Sequence, residues 1–299
     1  MALSRATVAD LATQVKPTFM LPAVGMSLFG ALLSPTLAVV PAILHAVAVG
    51  AALYVAHLVD EYVDAHLRGE ERPTVSRPTL RLAAVVATGG CLAAAGLLWV
   101  RGATLAAVLV FPLLLLALLH APVLDRNPVT VTVDYPVGIA LAVVGGYAAQ
   151  QRTVAFGTLV TAVVFVVVLS GVKVSLDRLD ADFDRQVDKR TLPVVLGDRQ
   201  AARVGALLAS GAALVVAASA VLGRYPTGTL IAVPALLLVG LAGLDDSPAR
   251  ATRRQMALVY VVALVLFVTQ CLATGCFVGR QAELLETVVP VCASGVVRA

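Results

Sequence analysis

Nine apolar segments, each near the length of a bilayer crossing, follow one another along the 299-residue chain: about 18–34, 37–59, 82–100, 103–121, 135–150, 154–176, 201–223, 226–244 and 256–279. A backbone immersed in hydrocarbon must satisfy its own polar groups, and a continuous apolar run does so as a helix. The expectation is therefore an all-α, polytopic membrane protein of about nine transmembrane helices. The first two segments are divided only by Ser34-Pro35-Thr36, and the fifth is short. Composition points the same way: 60% of residues are hydrophobic, 13% are charged and the mean hydropathy is +0.93. Soluble domains run nearer half apolar and a quarter charged. Ala, Gly and Val dominate the segments, and such small side chains let helices pack closely in lipid.

The charges say how the chain sits. With the N-terminus in the cytoplasm, 17 of the 22 Lys and Arg residues fall at inner ends and only Arg101, Arg152, Arg224, Arg280 and Arg298 at outer ones. The sequence pI of about 9.0 thus reflects membrane orientation. The basic residues are scattered at segment ends without aromatic interleaving, which argues against nucleic acid as a partner. Arg5, Asp10 and Lys16 interrupt the N-terminal stretch before any apolar core, so it reads as an interfacial helix over 1–17 and not as a cleavable signal. The whole of 1–299 reads as one domain, with the tail 281–299 unassigned.

Residues 173–197, KVSLDRLDADFDRQVDKRTLPVVLG, close the sixth segment. Asp177, Asp180 and Asp184 recur at spacings of three and four, which puts three carboxylates on one helical face, with Asp182 on the other. Like charges stacked this way repel. A hard divalent cation relieves that repulsion, and Mg2+ typically takes one or two carboxylates together with phosphate oxygens of a substrate. Arg185, Lys189 and Arg190 follow at once, and Lys173 lies one turn before Asp177 on the same face. Acids and bases mixed this closely read as a metal–phosphate site; the plainer alternative is a solvated loop at a segment end. A second acidic pair, Asp60 and Asp64, ends the second segment, with His57 one turn upstream and the loop RGEERPTVSRP downstream.

These two stretches resemble the aspartate motifs of the UbiA-type membrane prenyltransferases. Asp177, Asp180 and Asp184 followed by Lys189-Arg190-Thr191-Leu192-Pro193 are similar to the family's second motif, DxxDxxxD and a basic-Arg-Thr-Leu-Pro segment. Asp60 and Asp64 match the later part of its first motif, NDxxDxxxD. There Ala56 stands at the Asn position and His57 at the first Asp. A Tyr and a Lys often follow the family's fourth helix; here that region reads LLHAPVLDRNP, with His120 or Ala121 near the Tyr and Arg126 left as the basic residue.

The resemblance implies a helical bundle around a central cavity, with the aspartates on cytoplasmic loops. It implies Mg2+-dependent transfer of a polyprenyl group from a prenyl diphosphate, such as geranylgeranyl diphosphate, to a lipophilic acceptor within the membrane. It assigns the metal to Asp60, Asp64, Asp177, Asp180 and Asp184, and the diphosphate to Lys173, Arg185, Lys189, Arg190, Arg126 and Arg68. His57 either donates to a diphosphate oxygen or pairs with Asp60. The altered first motif leaves open a member that cyclises a terpenoid or has no transferase activity. A transporter is a third reading, but it calls for ionisable groups near mid-span.

Elsewhere the residues read plainly. Cys91, Cys271, Cys276 and Cys292 show no C-x-x-C spacing, and three lie in apolar runs, where Cys behaves as a small hydrophobe without a metal or disulfide role. Asp134 opens the fifth segment at a boundary where an acid costs little. Asp245 and Asp246, with Arg250, Arg253 and Arg254, form an ordinary charged loop.

Overall fold

The structure is a computed structural model that describes residues 5–276. The end of the last apolar segment (277–279) and the tail 281–299 lie outside the described residues. Among the described residues every apolar segment is helical: α1 (Arg5–Thr13) precedes α2 (Pro17–Leu32), α3 (Val39–Val63), α4 (Arg77–Val100), α5 (Thr104–Leu119), α6 (Thr130–Gln151) and α7 (Phe156–Gln186). A short α8 (Leu192–Leu196) leads to α9 (Asp198–Val221), α10 (Ala232–Gly243) and α11 (Pro248–Thr274). Six of these helices are long and apolar enough to cross a membrane; those at 17–32, 104–119 and 227–243 are shorter. Outward-facing Leu21, Val85, Val100, Leu207, Leu214 and Leu264 are exposed, as a lipid-facing surface requires. The protein is integral to the membrane.

Successive helices run in opposite directions. The ends of α3, α5, α7 and α10 therefore gather with the starts of α2, α4, α6, α9 and α11 at one end of the bundle, which carries both aspartate motifs. Proline fixes several of these starts: Pro17 and Pro248 each occupy a first-turn position, where the missing N–H has no helical partner to lose. α1 lies across the motif end. Tyr54 donates to the Leu11 carbonyl at 3.0 Å, and the Gln14 amide donates to Thr74 at 3.1 Å.

The core is built by close backbone approach. A Cβ on Gly30 would fall 1.9 Å from the Val143 carbonyl oxygen, and one on Gly146 would fall 2.0 Å from that of Ser27, so α2 and α6 meet only because both positions lack a side chain. Beside this contact Ser27 and His45 share a 2.7 Å hydrogen bond in the interior. At the motif end the buried Arg178 ties three helices together. It donates to both carboxylate oxygens of Asp198 (2.7 and 3.0 Å) and to the carbonyls of Gly243 (2.9 Å) and Asp245 (3.1 Å). A buried charge so fully bonded holds its neighbours in register.

The cysteine expectation needs correction. Cys271 and Cys276 form a disulfide, with Cα atoms 4.9 Å apart. Spacing alone hid it because α11 ends at Gly275, whose φ of 70° is open to glycine at little cost and folds the chain back on itself. Cys91 is free and buried, as expected of a small hydrophobe. Cys292 lies outside the described residues. At this same end Phe29 of α2 meets Phe267 of α11, with ring centroids 5.5 Å apart.

Candidate active site

A cavity of about 440 Å3 opens at the motif end and is walled by α2, α3, α5, α6, α7 and α11. Its depth is apolar, with Met26, Val49, Leu113, Ile139 and Ala263 around Phe165 at the inner limit. From Phe165 to Asp177 the α7 wall covers about 18 Å of helix axis at 1.5 Å per residue. The edge of Phe29 against Phe165 (centroids 5.8 Å apart) backs that floor.

Polar groups are confined to the mouth. On α7, one face brings Lys173, Asp177, Asp180 and Asp184 to the cavity, as the spacing requires. Lys173 pairs with Asp177 Oδ1, whereas Asp177 Oδ2 is buried with no partner. Asp184 accepts from the Thr191 hydroxyl at 3.0 Å, and this bond fixes the basic segment after α7. Asp180 makes no hydrogen bond or ion pair among the described residues. Across the mouth stand His57 and Asp60 of α3. Asp60 Oδ2 lies 3.7 Å from the ammonium of Lys16, the residue that opens α2, and Asp60 Oδ1 lies 3.9 Å from His120 Nε2. Asp134 accepts from His120 Nδ1 at 2.5 Å and holds the imidazole toward Asp60.

Behind the mouth a buried strut joins the loops. A single π-helical turn, Asp64–Arg68, extends α3 and aims Arg68 at Asp125, whose side chain is only 1% exposed. Two parallel hydrogen bonds link them at 2.7 and 3.0 Å, and Arg68 also donates to the Ala121 carbonyl at 2.6 Å. Asp64 is held at 3.3 Å by the same guanidinium. Lys189 reaches from the third loop to within 3.6 Å of Asp125. Burial alone would lower the Lys189 pKa, but the charges of Asp64, Asp125, Asp60 and Asp184 outweigh it and raise it, so the ammonium stays charged. A smaller polar cavity of about 340 Å3 lies here, lined by Arg68, Glu70, Asp125, Arg126, Asp188, Lys189 and Arg190.

The structure thus brings His57, Asp60, Lys173, Asp177, Asp180, Asp184 and Lys189 to one cavity. It sets Asp64, Arg68, Arg126 and Arg190 behind it, and Arg185 pairs with Asp182 at 2.5 Å on the outer face. Lys16, His120 and Asp125 are site residues that sequence spacing did not single out. Lys16 precedes α2, and His120 and Asp125 lie in the connection between α5 and α6, so only the tertiary fold makes them neighbours of the motifs.

The oxygen donors suit a hard cation. No three His, Cys, Asp or Glu side chains among the described residues form a ready cage. Mg2+ needs none, since it takes few carboxylates and completes its shell with water and phosphate. The unpartnered Asp177 Oδ2 beside the unpaired Asp180 fits that pattern.

A sequence profile of the UbiA prenyltransferase family matches residues 18–264. The chain belongs to the UbiA prenyltransferase family. A sequence search of curated proteins finds no match. Solved structures share the UbiA fold at low identity. A digeranylgeranylglyceryl phosphate synthase superposes with a TM-score of 0.72 at 11% identity, covering 88% of this chain and 98% of that one. A UbiA homologue from Aeropyrum pernix K1 gives 0.64 at 18% identity, over 91% of this chain and 100% of the other. One from Archaeoglobus fulgidus, bound to GPP and Mg2+, gives 0.67 at 13% identity, over 89% and 99%. The chain is a UbiA-family membrane prenyltransferase.

Proposed function

We propose that this UbiA-family protein transfers a polyprenyl group from its diphosphate to a lipophilic acceptor, with the diphosphate at the cavity mouth and the prenyl chain in the apolar depth. The observation that carries this reading is the division of one cavity: carboxylates and ammonium groups at the mouth, aliphatic and aromatic side chains beneath. Two further points support it. The UbiA homologues bound to GPP or DMAPP together with Mg2+ share the fold. The ionisable groups cluster at one end of the bundle, which a transporter pathway through mid-span would not require.

Asp177, Asp180 and Asp184 would hold Mg2+. The metal supplies charge neutralisation that helps diphosphate depart. Lys173 and Lys189 donate hydrogen bonds to the oxygens on which negative charge grows as the allylic C–O bond breaks. The floor at Phe165 and the Leu113, Leu116 and Leu169 walls keep water from the allylic carbon, so the acceptor and not solvent attacks it. A carbon or oxygen of the acceptor forms the new bond to that carbon and loses its proton. The first motif, with His57 in place of an acid, faces the diphosphate from the opposite wall.

In this reading the motif end faces the cytoplasm. The basic-residue bias supports that orientation, as does the Cys271–Cys276 disulfide at the other end, since disulfides persist in oxidising compartments. Single cysteines at Ser76 and Gln186 should resist impermeant labelling from outside intact cells; labelling of either would reject the orientation. For the reaction itself, purified protein is incubated with Mg2+, labelled geranylgeranyl diphosphate and a panel of quinone-precursor, glycerol-phosphate and isoprenoid acceptors. A prenylated acceptor plus released diphosphate is the expected product. A cyclised hydrocarbon, or no turnover of any prenyl diphosphate, would overturn the assignment.

A further inference from the structure

The two carboxylate groups at the mouth are not equivalent, and the difference lies in what already touches them. On α7, Lys173 pairs with Asp177 Oδ1 and Thr191 donates to Asp184, yet Asp177 Oδ2 is buried without a partner and Asp180 is unpaired among the described residues, so free carboxylate oxygens remain on that wall. On α3, each oxygen of Asp60 has a nitrogen at ion-pair distance, Lys16 Nζ at 3.7 Å and His120 Nε2 at 3.9 Å. Asp64, the other acid of that motif, is outside the cavity lining and held by Arg68 at 3.3 Å. One turn upstream His57 presents an imidazole to the cavity where a third acid would have stood. A divalent ion entering beside Asp60 would meet that single carboxylate, both of whose oxygens already face a nitrogen, and a resident ammonium.

We propose that Lys16 is a tethered cation that takes the place of a divalent ion at Asp60. This chain then holds its prenyl diphosphate between one Mg2+ on the α7 wall and an ammonium on the α3 wall. The inference rests on the prenyl-transfer reading and deepens it. Expected metal ligation by Asp60 and Asp64 narrows to the second motif.

The backbone delivers this ammonium to a defined place. Lys16 directly precedes Pro17, whose ring fixes the first turn of α2. The segment before it is pinned by the bonds of Leu11 to Tyr54 and of Gln14 to Thr74. An ammonium has three donors and no acceptor, so it can bond Asp60 and a diphosphate oxygen together. It therefore supplies on this wall the positive charge that a metal would bring, without a cage of acids.

The test counts bound metal. The full chain in detergent receives one equivalent of geranyl thiolodiphosphate, whose bridging sulfur slows ionisation, and Mn2+ is titrated with bound ion read by electron paramagnetic resonance. Wild type should bind one Mn2+ per chain, and so should Asp60→Asn. Asp180→Asn should weaken that site at least tenfold. Lys16→Met, at a side chain 45% exposed and so tolerant of exchange, should gain a second Mn2+ that is lost again in Lys16→Met/Asp60→Asn. Two Mn2+ in wild type, with one lost in Asp60→Asn, would overturn the proposal while leaving prenyl transfer intact. A single Mn2+ in Lys16→Met would also overturn it. No Mn2+ bound to wild type at all would overturn both this inference and the reading beneath it.

Discussion

Asp125 sits at the junction of three loops, so its loss is expected to cost stability and site geometry together. Its side chain is 1% exposed, and it receives two guanidinium hydrogen bonds from Arg68 with Lys189 3.6 Å away. Breaking a buried pair by removing one partner typically costs about 3–5 kcal/mol, because the other charge is left uncompensated. Arg68 is 18% exposed and keeps the Ala121 carbonyl and Asp64, so the lower end applies. Asp125→Ala should therefore lose about 3 kcal/mol, which at about 2–4 °C per kcal/mol for a chain of this size lowers Tm by about 6–12 °C. Thermal unfolding of the purified protein in one detergent measures this. Arg68→Met/Asp125→Leu, which removes both charges, should recover most of the loss. A shift below about 2 °C in Asp125→Ala, or a double variant worse than the single, would refute the strut.

Three further outcomes are expected. Gly146→Ala places a methyl against the Ser27 carbonyl and should cost about 1–3 kcal/mol by overpacking, read as a lower Tm; an unchanged Tm would show that α2 and α6 are not in close contact. Asp180→Ala should abolish turnover with folded yield nearly intact, while Asp182→Ala, on the outer face, should be mild; equal loss would mean that the charge run is structural. Asp245 is held well below the usual carboxylate range, chiefly by Arg250 and then by the Ser247 amide. A depressed folded pKa stabilises above the unfolded value of about 3.9 and fades as pH falls below it. The Tm gap between wild type and Asp245→Asn should thus be open at pH 7 and close on acidification; a gap that widens in acid would contradict the assignment.

Much of this architecture was legible in the sequence, because period and polarity carry it. Among the described residues each apolar segment is helical, and the three- and four-residue spacing of Asp177, Asp180 and Asp184 does put them on one wall. What spacing cannot carry is distance across the fold. Arg68 and Arg126 looked alike as loop cations, yet one is a buried strut to Asp125 and the other lines the polar cavity behind it. Asp134 read as an inexpensive boundary acid and proves to orient His120. Lys16 enters the sequence reading through the charge bias and the break in the N-terminal stretch, not as a site residue, because its approach to Asp60 depends on how α1 and α2 fold over α3. Arg178 is only one of the 17 basic residues at inner ends in the sequence, and its partners, on α9 and at the end of α10, are set by the tertiary fold.

The central claim is that one cavity holds a metal-bound diphosphate at its mouth and a prenyl chain in its depth. The most direct measurement is a structure of the protein with Mn2+ and geranyl thiolodiphosphate, with the metal located by its anomalous scattering. The account predicts Mn2+ against Asp177 and Asp180, diphosphate within reach of Lys16, Lys173 and Lys189, and the prenyl chain directed toward Phe165. Diphosphate seated instead in the polar cavity between Arg68, Arg126 and Arg190, with no metal on the α7 carboxylates, would contradict it.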